Sequence, residues 1–259
     1  MFREKLESVG AKVTETVQFA GGVFILFAQA VFWSTVPPFR FRSTLDQMVK
    51  VGVNSLPIVL LTNFFIGIVI ALQSAYQMKR VNAEMYIPSL VAISICREIA
   101  PVITGLVVAG RVGASIAAEL GSMKVTEQID ALETLAANPV KYLVTPRFLA
   151  LVVMLPLLTV IADIIGITGG YVVSVYKLGL PSSLYIKMTF DPLALKDIFT
   201  GLSKTVIFAM LISILACYQG LRVQGGAEGV GNATTLAVVQ SFISIILADA
   251  FFTIVFYFL

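Results

Sequence analysis

Five long apolar windows, separated by shorter polar segments, recur along the chain. A bilayer core about 30 Å thick is crossed by roughly 20 apolar helical residues. Five windows reach that length, at about 53–77, 87–110, 148–176, 198–220 and 234–259. A helix satisfies its own backbone hydrogen bonds in lipid, and the sequence lacks the alternating pattern of a transmembrane barrel. The pattern therefore predicts an all-α integral membrane protein with five membrane helices.

The first 46 residues follow a different pattern. Apolar residues recur at steps of three and four among charged ones, which predicts an amphipathic helix in the membrane interface. The helix continues into a short apolar stretch at 17–33, for which a sixth span is the alternative interpretation. A cleaved signal peptide is disfavoured, because the leading region is long, amphipathic and neutral. We therefore divide the chain into an N-terminal interfacial helix and elbow, 1–46, and a transmembrane domain, 47–259.

Composition supports the membrane assignment and removes several classes of function. Apolar residues make up 58% of the chain and charged residues 13%, with a mean hydropathy of +0.94. Because histidine is absent and the two cysteines lie far apart, the sequence offers no Ser-His-Asp triad, zinc motif or disulfide framework. A net charge of +3 is too small for a nucleic-acid binder. No Gly-Lys dipeptide occurs, so there is no phosphate-binding loop for ATP.

The distribution of basic residues predicts the orientation. With five spans, eleven of the 18 Lys and Arg residues fall on the side of the N-terminus, five on the other side and two within spans. Basic loops remain in the cytoplasm. We therefore expect a cytoplasmic N-terminus and a C-terminus on the opposite side.

Ionisable residues inside the apolar windows are the first candidates for a functional site. Each costs about 2.5–3.5 kcal/mol on insertion scales. They occur in four of the spans: Arg97, Glu98, Asp163, Lys204 and Asp249. One interpretation is a structural ion-pair network in which Arg97 binds Asp163 or Asp249. The other is a polar pocket that contacts a substrate headgroup, with a proton relay as a weaker alternative because histidine is missing.

The position of Lys204 and two prolines inside the spans lead to further expectations. Lys204 lies nearer one end of its span, so its side chain is expected to snorkel toward the interface. Pro101 is expected to kink the second span and free the carbonyl of Arg97, and Pro156 to do the same in the third span.

The longest segment between spans, 111–147, predicts a docking helix. It has four basic and four acidic residues, no proline before Pro139, and an apolar face of helical spacing. Thr126 is placed to cap a helix that begins at Glu127. Because the polar face is acidic, a protein partner is favoured over anionic lipid.

The run REIAPVITGLVVAGRVGASIAAELGSMKVTEQIDALETLAANPVKYLVTPR, from Arg97 to Arg147, resembles the MlaE (YrbE-type) permease family. Further similar stretches are FFIGIVIALQ at 64–73, PLLTVIADIIGITGGYVVSV at 156–175 and DAFFT near the end. The resemblance covers the chain from about Gln47 onward.

The resemblance implies the permease subunit of an ABC-type transporter in the bacterial inner membrane. Such a subunit moves glycerophospholipids between the inner and outer membranes and helps maintain outer-membrane asymmetry. The implied partners are a second copy of the chain, an MlaF-type ATPase that binds ATP and Mg, a periplasmic MlaD-type MCE hexamer and an MlaB-type STAS protein bound to the ATPase. The chain itself is expected to need no cofactor or metal.

The resemblance also implies roles for particular segments. The first membrane helix, at about 47–78, is expected to be partly re-entrant, with breaks at Asn54 and Pro57. The ATPase-coupling residues are expected to be Thr126, Glu127, Gln128, Asp130, Ala131, Leu132 and Glu133. A phospholipid site needs an apolar wall and a few polar groups, for which the candidates are Phe64, Phe65, Ile68, Leu72, Gln73, Tyr76 and, for the phosphate, Arg97.

Two other classes of protein are weighed against this one. An ion-coupled secondary transporter would use the intramembrane charges as its switch. An intramembrane lipid enzyme would need a nucleophile, a metal cluster or a suitably spaced acid pair, and the acids of different spans stand singly.

Overall fold

The computed structural model describes the backbone of residues 2–258 and the side chains of residues 14, 15 and 17–258. Within that part of the chain every regular element is helical. The α-helices are α1 (Phe2–Thr35), α2 (Phe41–Val51), α3 (Leu56–Lys79), α4 (Ile87–Ser94), α5 (Ala100–Val108), α6 (Ala114–Val125), α7 (Gln128–Thr134), α8 (Thr145–Tyr176), α9 (Ser182–Phe190), α10 (Leu195–Leu221) and α11 (Gly226–Phe258).

Six stretches of the described chain are long and apolar enough to cross a bilayer. Five correspond to the predicted spans, and the sixth is Val17–Thr35 at the end of α1. The all-α membrane class is therefore confirmed. The second span is longer than expected, because helix continues from Ile87 to Val125 through α4, α5 and α6.

One end of the bundle holds the end of α6, all of α7, the start of α8 and the end of α10, and we call it the coupling face. Arg147 of α8 pairs with Glu119 of α6 at 2.9 Å. Gly220 of α10 lies against Leu120, also of α6. These contacts bring the three helix ends to one level.

The apolar half of α1 lies against this face at both of its ends. The Phe19 ring packs edge-on against Tyr218, near the end of α10, with 5.3 Å between centroids. Further along, Phe27 packs against Phe148 at the start of α8, at 6.1 Å. Because both neighbours belong to the coupling face, this half of α1 packs along that face.

A break separates α2 from α3 at Asn54, one of the two breaks that the resemblance implies, and the helix is not broken at Pro57. Gly52 ends α2, Val53–Ser55 form a single 3₁₀ turn, and Pro57 occupies the first turn of α3. A proline is tolerated there because the first helical N–H groups have no partner inside the helix. The 24 residues of α3 extend about 36 Å, so α3 alone is long enough to cross the bilayer core.

Helices α3 and α8 meet closely through glycines. A Cβ on Gly67 would overlap the carbonyl oxygen of Gly166, and one on Gly169 would overlap the carbonyl oxygen of Phe64. In lipid, helices associate mainly through close packing of small residues. Gly67 on α3 and Gly166 and Gly169 on α8 therefore allow the close packing of the two helices.

π-helical turns interrupt the helix of the second span. They occur at Ile95–Ile99 and Ala109–Gly113, and a third, Val140–Val144, precedes α8. The disturbance expected at Pro101 is present as the first of these turns, which ends just before the proline. Pro156, by contrast, lies inside α8, which runs without interruption through it.

The packing of α3 on α8 predicts a sharp difference between two glycines. Gly169→Ala places a methyl group against the α3 backbone and is expected to destabilise the protein by about 1–3 kcal/mol. Gly231→Ala is the matched control, since the space around Gly231 is open, and alanine favours the helix there. Thermal unfolding in detergent measures both variants. Equal unfolding midpoints would contradict this account of the interface.

Candidate functional site

A buried lysine holds three helices together inside the membrane region. The Lys204 ammonium of α10 lies 2.5 Å from Glu98 Oε2 and 2.9 Å from Asp249 Oδ1. Its third hydrogen bond goes to the Thr253 hydroxyl at 2.7 Å, and that hydroxyl donates to Glu98 at 3.1 Å. All three lysine donors are thus satisfied. We call these four residues the Lys204 cluster.

Local backbone geometry explains why Lys204 and Glu98 meet. Glu98 belongs to the π turn Ile95–Ile99. A Cβ on Gly201 of α10 would overlap the carbonyl oxygen of Cys96 in that turn. The glycine therefore allows α10 to approach the π turn, and Lys204, one turn further along α10, reaches Glu98.

The predicted exposure of Lys204 is wrong. Its side chain is 0% exposed, so it does not snorkel to the interface. An isolated ammonium in such a place is too costly to keep its charge, and the two carboxylates compensate it.

Arg97 has a partner that the sequence did not indicate. Arg97 Nε lies 3.6 Å from Asp197 Oδ1, so the hypothesis that Arg97 binds Asp163 or Asp249 is wrong. Asp197 also accepts a hydrogen bond from the backbone N–H of Ala194 and so caps the start of α10. The sequence could have indicated Asp197 as a helix cap, because it is an acidic residue in the first turn of α10.

Asp163 lies apart from the Lys204 cluster. It is buried in α8, and its Oδ1 atom has no hydrogen-bond partner among the described residues. The predicted five-residue network therefore divides into three parts, namely the Lys204 cluster, the Arg97–Asp197 pair and Asp163 alone.

The Lys204 cluster is open on one side. Glu98 is 37% exposed and Asp249 22% exposed, whereas Lys204 is closed off. The cluster carries two carboxylates against one ammonium, so its formal charge is −1. A negative, partly open polar cluster within a membrane protein must face another protein surface or a water-filled space, because lipid tails do not solvate it.

The candidate lipid residues of α3 occupy different sides of the helix. Phe65, Leu72 and Tyr76 form an exposed row, while Phe64 and Ile68 are half-buried. Phe64 and Gln73 are nine residues apart and therefore point in opposite directions. The structure brings the row of three together on the outer surface of α3, and it does not bring Gln73 and Phe64 to one site.

The coupling segment forms a short helix on a sharp turn. Glu127 adopts a left-handed backbone with φ of 60° and precedes α7. The predicted cap is wrong, because the Thr126 hydroxyl bonds backward to the Ser122 carbonyl of α6 at 2.8 Å. Ile129 is buried and anchors α7 to the bundle.

Most of the predicted coupling residues are exposed, and they share one surface. The exposed residues are Thr126, Glu127, Gln128, Asp130, Ala131 and Glu133, and Leu132 is half-buried. Asp130 is already paired with Lys124 at 2.6 Å. Neither Glu127 nor Glu133 makes an ion pair within the described part of the chain, so both carboxylates are available to a partner.

The Lys204 cluster, the Arg97–Asp197 pair and the carboxylates of α7 can form ion pairs and hydrogen bonds. Among the residues that the structure describes, no group of three or more acidic or cysteine side chains is arranged to hold a metal ion. Cys96 and Cys217 are free and buried.

The Lys204 cluster predicts a strong effect of removing its cation. Lys204→Met leaves two carboxylates facing each other and is expected to cost on the order of 3 kcal/mol of stability. The triple variant that adds Glu98→Gln and Asp249→Asn removes the repulsion and should recover most of the loss. Lys196→Met, at an exposed site on the same helix, is the control. Unfolding midpoints in detergent test the order, and a single variant as stable as the control would contradict it.

Comparison with known proteins places this arrangement in a family. The family model described as Permease MlaE matches residues 44–255. A probable ABC transporter permease protein of Rickettsia typhi is 47% identical over 241 residues, covering 92% of this chain and 93% of the relative. A probable ABC transporter permease protein of Synechocystis is 41% identical over 210 residues, covering 81% and 80%.

A plant protein shows the same similarity at greater distance. The chloroplastic protein TRIGALACTOSYLDIACYLGLYCEROL 1 of Arabidopsis thaliana is 36% identical over 225 residues, covering 87% of this chain and 64% of the relative. The match to the family model spans both the Lys204 cluster and the coupling segment. The chain therefore belongs to the MlaE permease family and is a multi-pass membrane protein of the ABC transporter permease class.

Proposed function

We propose that this chain is the permease subunit of an ABC transporter that moves glycerophospholipids between the inner and outer membranes and maintains outer-membrane lipid asymmetry. The observation that carries the proposal is the combination of a partly open charged cluster and a broad exposed apolar surface on the same membrane bundle. A phospholipid has both kinds of chemistry. The plant relative, which is named after a galactosylated diacylglycerol, supports a lipid substrate.

The lipid site is proposed on the first and second spans. The exposed row of Phe65, Leu72 and Tyr76 supplies an apolar wall, with the half-buried Phe64 and Ile68 on one flank. Gln73, which points away from Phe64, is left out of this site. Arg97 is 40% exposed and meets Asp197 at 3.6 Å, so its remaining guanidinium donors are available to a phosphate.

A second copy of the chain is proposed to cover α11. Only 11% of the most apolar window of α11 is buried within one chain, and the helix supplies Asp249 to the Lys204 cluster. A homodimer that meets along α11 would shield the open carboxylates from lipid and enclose a cavity between the two copies. That cavity is where the transported lipid would be held.

The energy is proposed to come from a separate ATPase. The exposed surface of α7 carries the free carboxylates of Glu127 and Glu133, which suit a basic groove on an MlaF-type subunit that binds ATP and Mg. Closure of the ATPase dimer would push α7, and the bundle would transmit the movement through the Glu119–Arg147 pair to α8. The further proposed partners are an MlaD-type MCE hexamer on the opposite face and an MlaB-type STAS protein on the ATPase.

The proposed location is the bacterial inner membrane, with the N-terminus in the cytoplasm and the C-terminus in the periplasm. The coupling face then lies in the cytoplasm, in agreement with its basic residues Lys124 and Arg147 and with Lys50, Lys141 and Arg222 next to it. No cofactor is proposed for this chain itself.

The energy source separates this proposal from an ion-coupled transporter. The complex of the chain with its ATPase, placed in vesicles, is expected to move fluorescent phospholipid when ATP is present and the proton gradient is collapsed by an ionophore. A non-hydrolysable ATP analogue should reduce transfer to the background rate. Transfer that stops on collapse of the gradient while ATP hydrolysis continues would instead support ion coupling through the intramembrane charges.

The docking role of α7 predicts a loss of the ATPase on charge reversal. Glu133→Lys places a cation against the basic groove and should weaken capture of the ATPase about tenfold or more. Asp191→Lys, at an exposed site just after α9 on the opposite face, is the matched control. Copurification with the tagged chain measures both. Asp130→Lys is the less informative variant, since it also breaks the contact with Lys124.

A further inference from the structure

A polar cleft separates α2 from α6 near the coupling face. Its volume is about 530 Å³, which is within the range of about 300–1,000 Å³ typical of small-molecule sites. The residues that matter for its chemistry come from both walls, and they are Gln47, Lys50, Asn54, Arg111, Ser115 and Glu119. None of them belongs to the Lys204 cluster or to α7.

The two walls of the cleft carry matching polar stripes. On one wall Arg111, Ser115 and Glu119 follow each other at intervals of four residues. On the other wall Gln47, Lys50 and Asn54 are spaced by three and four residues. Both sets line the cleft, with Asn54 in the 3₁₀ turn after α2 and Arg111 in the π turn before α6. From Arg111 to Glu119 the stripe is about 12 Å long.

The cleft is positively charged, because its only lining carboxylate is engaged from outside the cleft. Arg147, which is buried and does not line the cleft, binds Glu119 at 2.9 Å. Lys50 donates a hydrogen bond to the other oxygen of the same carboxylate at 3.4 Å and is largely exposed. One carboxylate thus faces three cations, Arg147, Lys50 and Arg111, and the cleft keeps an excess of positive charge.

Arg111 is held in position without an anionic partner. Its Nη1 donates to the buried Ser55 hydroxyl at 2.7 Å. Within the described part of the chain it makes no ion pair. A guanidinium has five donors in a planar fork that matches a phosphate. An oriented arginine with unused donors, inside a cleft, is arranged to receive an anion.

Apolar surface beside the cleft favours a lipid over a free anion. The apolar side chains of Val51, Val112 and Ile116 line the cleft together with the polar ones, and Val49 and Val53 are exposed at neighbouring positions of the same segment. A free phosphate would gain nothing from this surface, whereas the acyl chains of a lipid would lie against it.

We propose that the α2–α6 cleft binds the phosphate group of a glycerophospholipid from the leaflet at the coupling face, with Arg111 as the fork and Lys50 as the second cation. This inference rests on the proposed lipid-transport function. Arg111 is 13 residues from Glu98 along the second span, or about 20 Å, so the cleft is a site distinct from the Lys204 cluster. It would hold a lipid at the level of one leaflet, before or after transfer.

The test measures how accessible the cleft is, by the modification rate of a cysteine introduced into it. Both native cysteines are buried, so Ser115→Cys in the full chain provides an exposed thiol for N-ethylmaleimide. The modification rate is measured in detergent with dioctanoyl phosphatidylglycerol, with dioctanoylglycerol, which lacks the phosphate, and with inorganic phosphate. We expect saturable protection by the phospholipid and none by the other two probes at the same concentrations.

Variants identify the groups that recognise the phosphate. Arg111→Gln and Lys50→Gln, each in the Ser115→Cys background, should raise the half-protecting concentration about tenfold or more, since each removes a charge-assisted contact with the phosphate. Arg42→Gln removes an exposed cation of α2 that does not line the cleft, and it should change nothing. Lys50 is exposed, so its variant keeps the test valid even if Arg111→Gln does not fold.

Several results would overturn the proposal. They are an unprotected thiol, equal protection by dioctanoylglycerol, protection by inorganic phosphate alone, and protection that survives both substitutions or weakens as much in Arg42→Gln. The assay contains neither ATP nor an ATPase. Its failure would therefore remove the cleft as a lipid site and leave the transport proposal to be judged by the vesicle experiment.

Discussion

The structure depends on the compensation of one buried ammonium group in a region that does not solvate charge. Lys204 meets carboxylates from two other helices and a hydroxyl from one of them, and each helix therefore has its register fixed relative to the others. Apolar packing alone gives little preference among registers in lipid, because lipid tails are as apolar as the side chains. The Lys204 cluster provides that preference, and the close approach at Gly201 makes it geometrically possible.

The coupling face and the interior of the bundle carry different charged groups. The coupling face is linked by surface and half-buried ion pairs, such as Glu119 with Arg147 and Lys124 with Asp130. The interior holds the Lys204 cluster and the Arg97–Asp197 pair. The Glu119–Arg147 pair connects α6, the helix that precedes α7, to α8.

Much of the fold was predictable, because spans, charges and coupling segment are properties of local sequence. Glu98, Lys204 and Asp249 could be recognised as unusual simply because they interrupt apolar windows. Their pairing could not be predicted, since it depends on a π turn that changes the direction of the Glu98 side chain. Asp197 was missed because an acid in the first turn of a helix has an ordinary capping role, and Thr126 was misassigned because its hydroxyl reaches the preceding helix rather than the following one.

The π turns have a consequence for how the second span behaves as a mechanical part. A π turn holds one residue more than an α turn, and loss of that residue from the turn rotates everything beyond it by about 100°. The Ile95–Ile99 turn contains Arg97 and Glu98, and the Ala109–Gly113 turn contains Arg111. The nine-residue helix α5 lies between them, so its rotation about the helix axis depends on both turns. Each of the two π turns that set the rotation of α5 therefore contains an arginine.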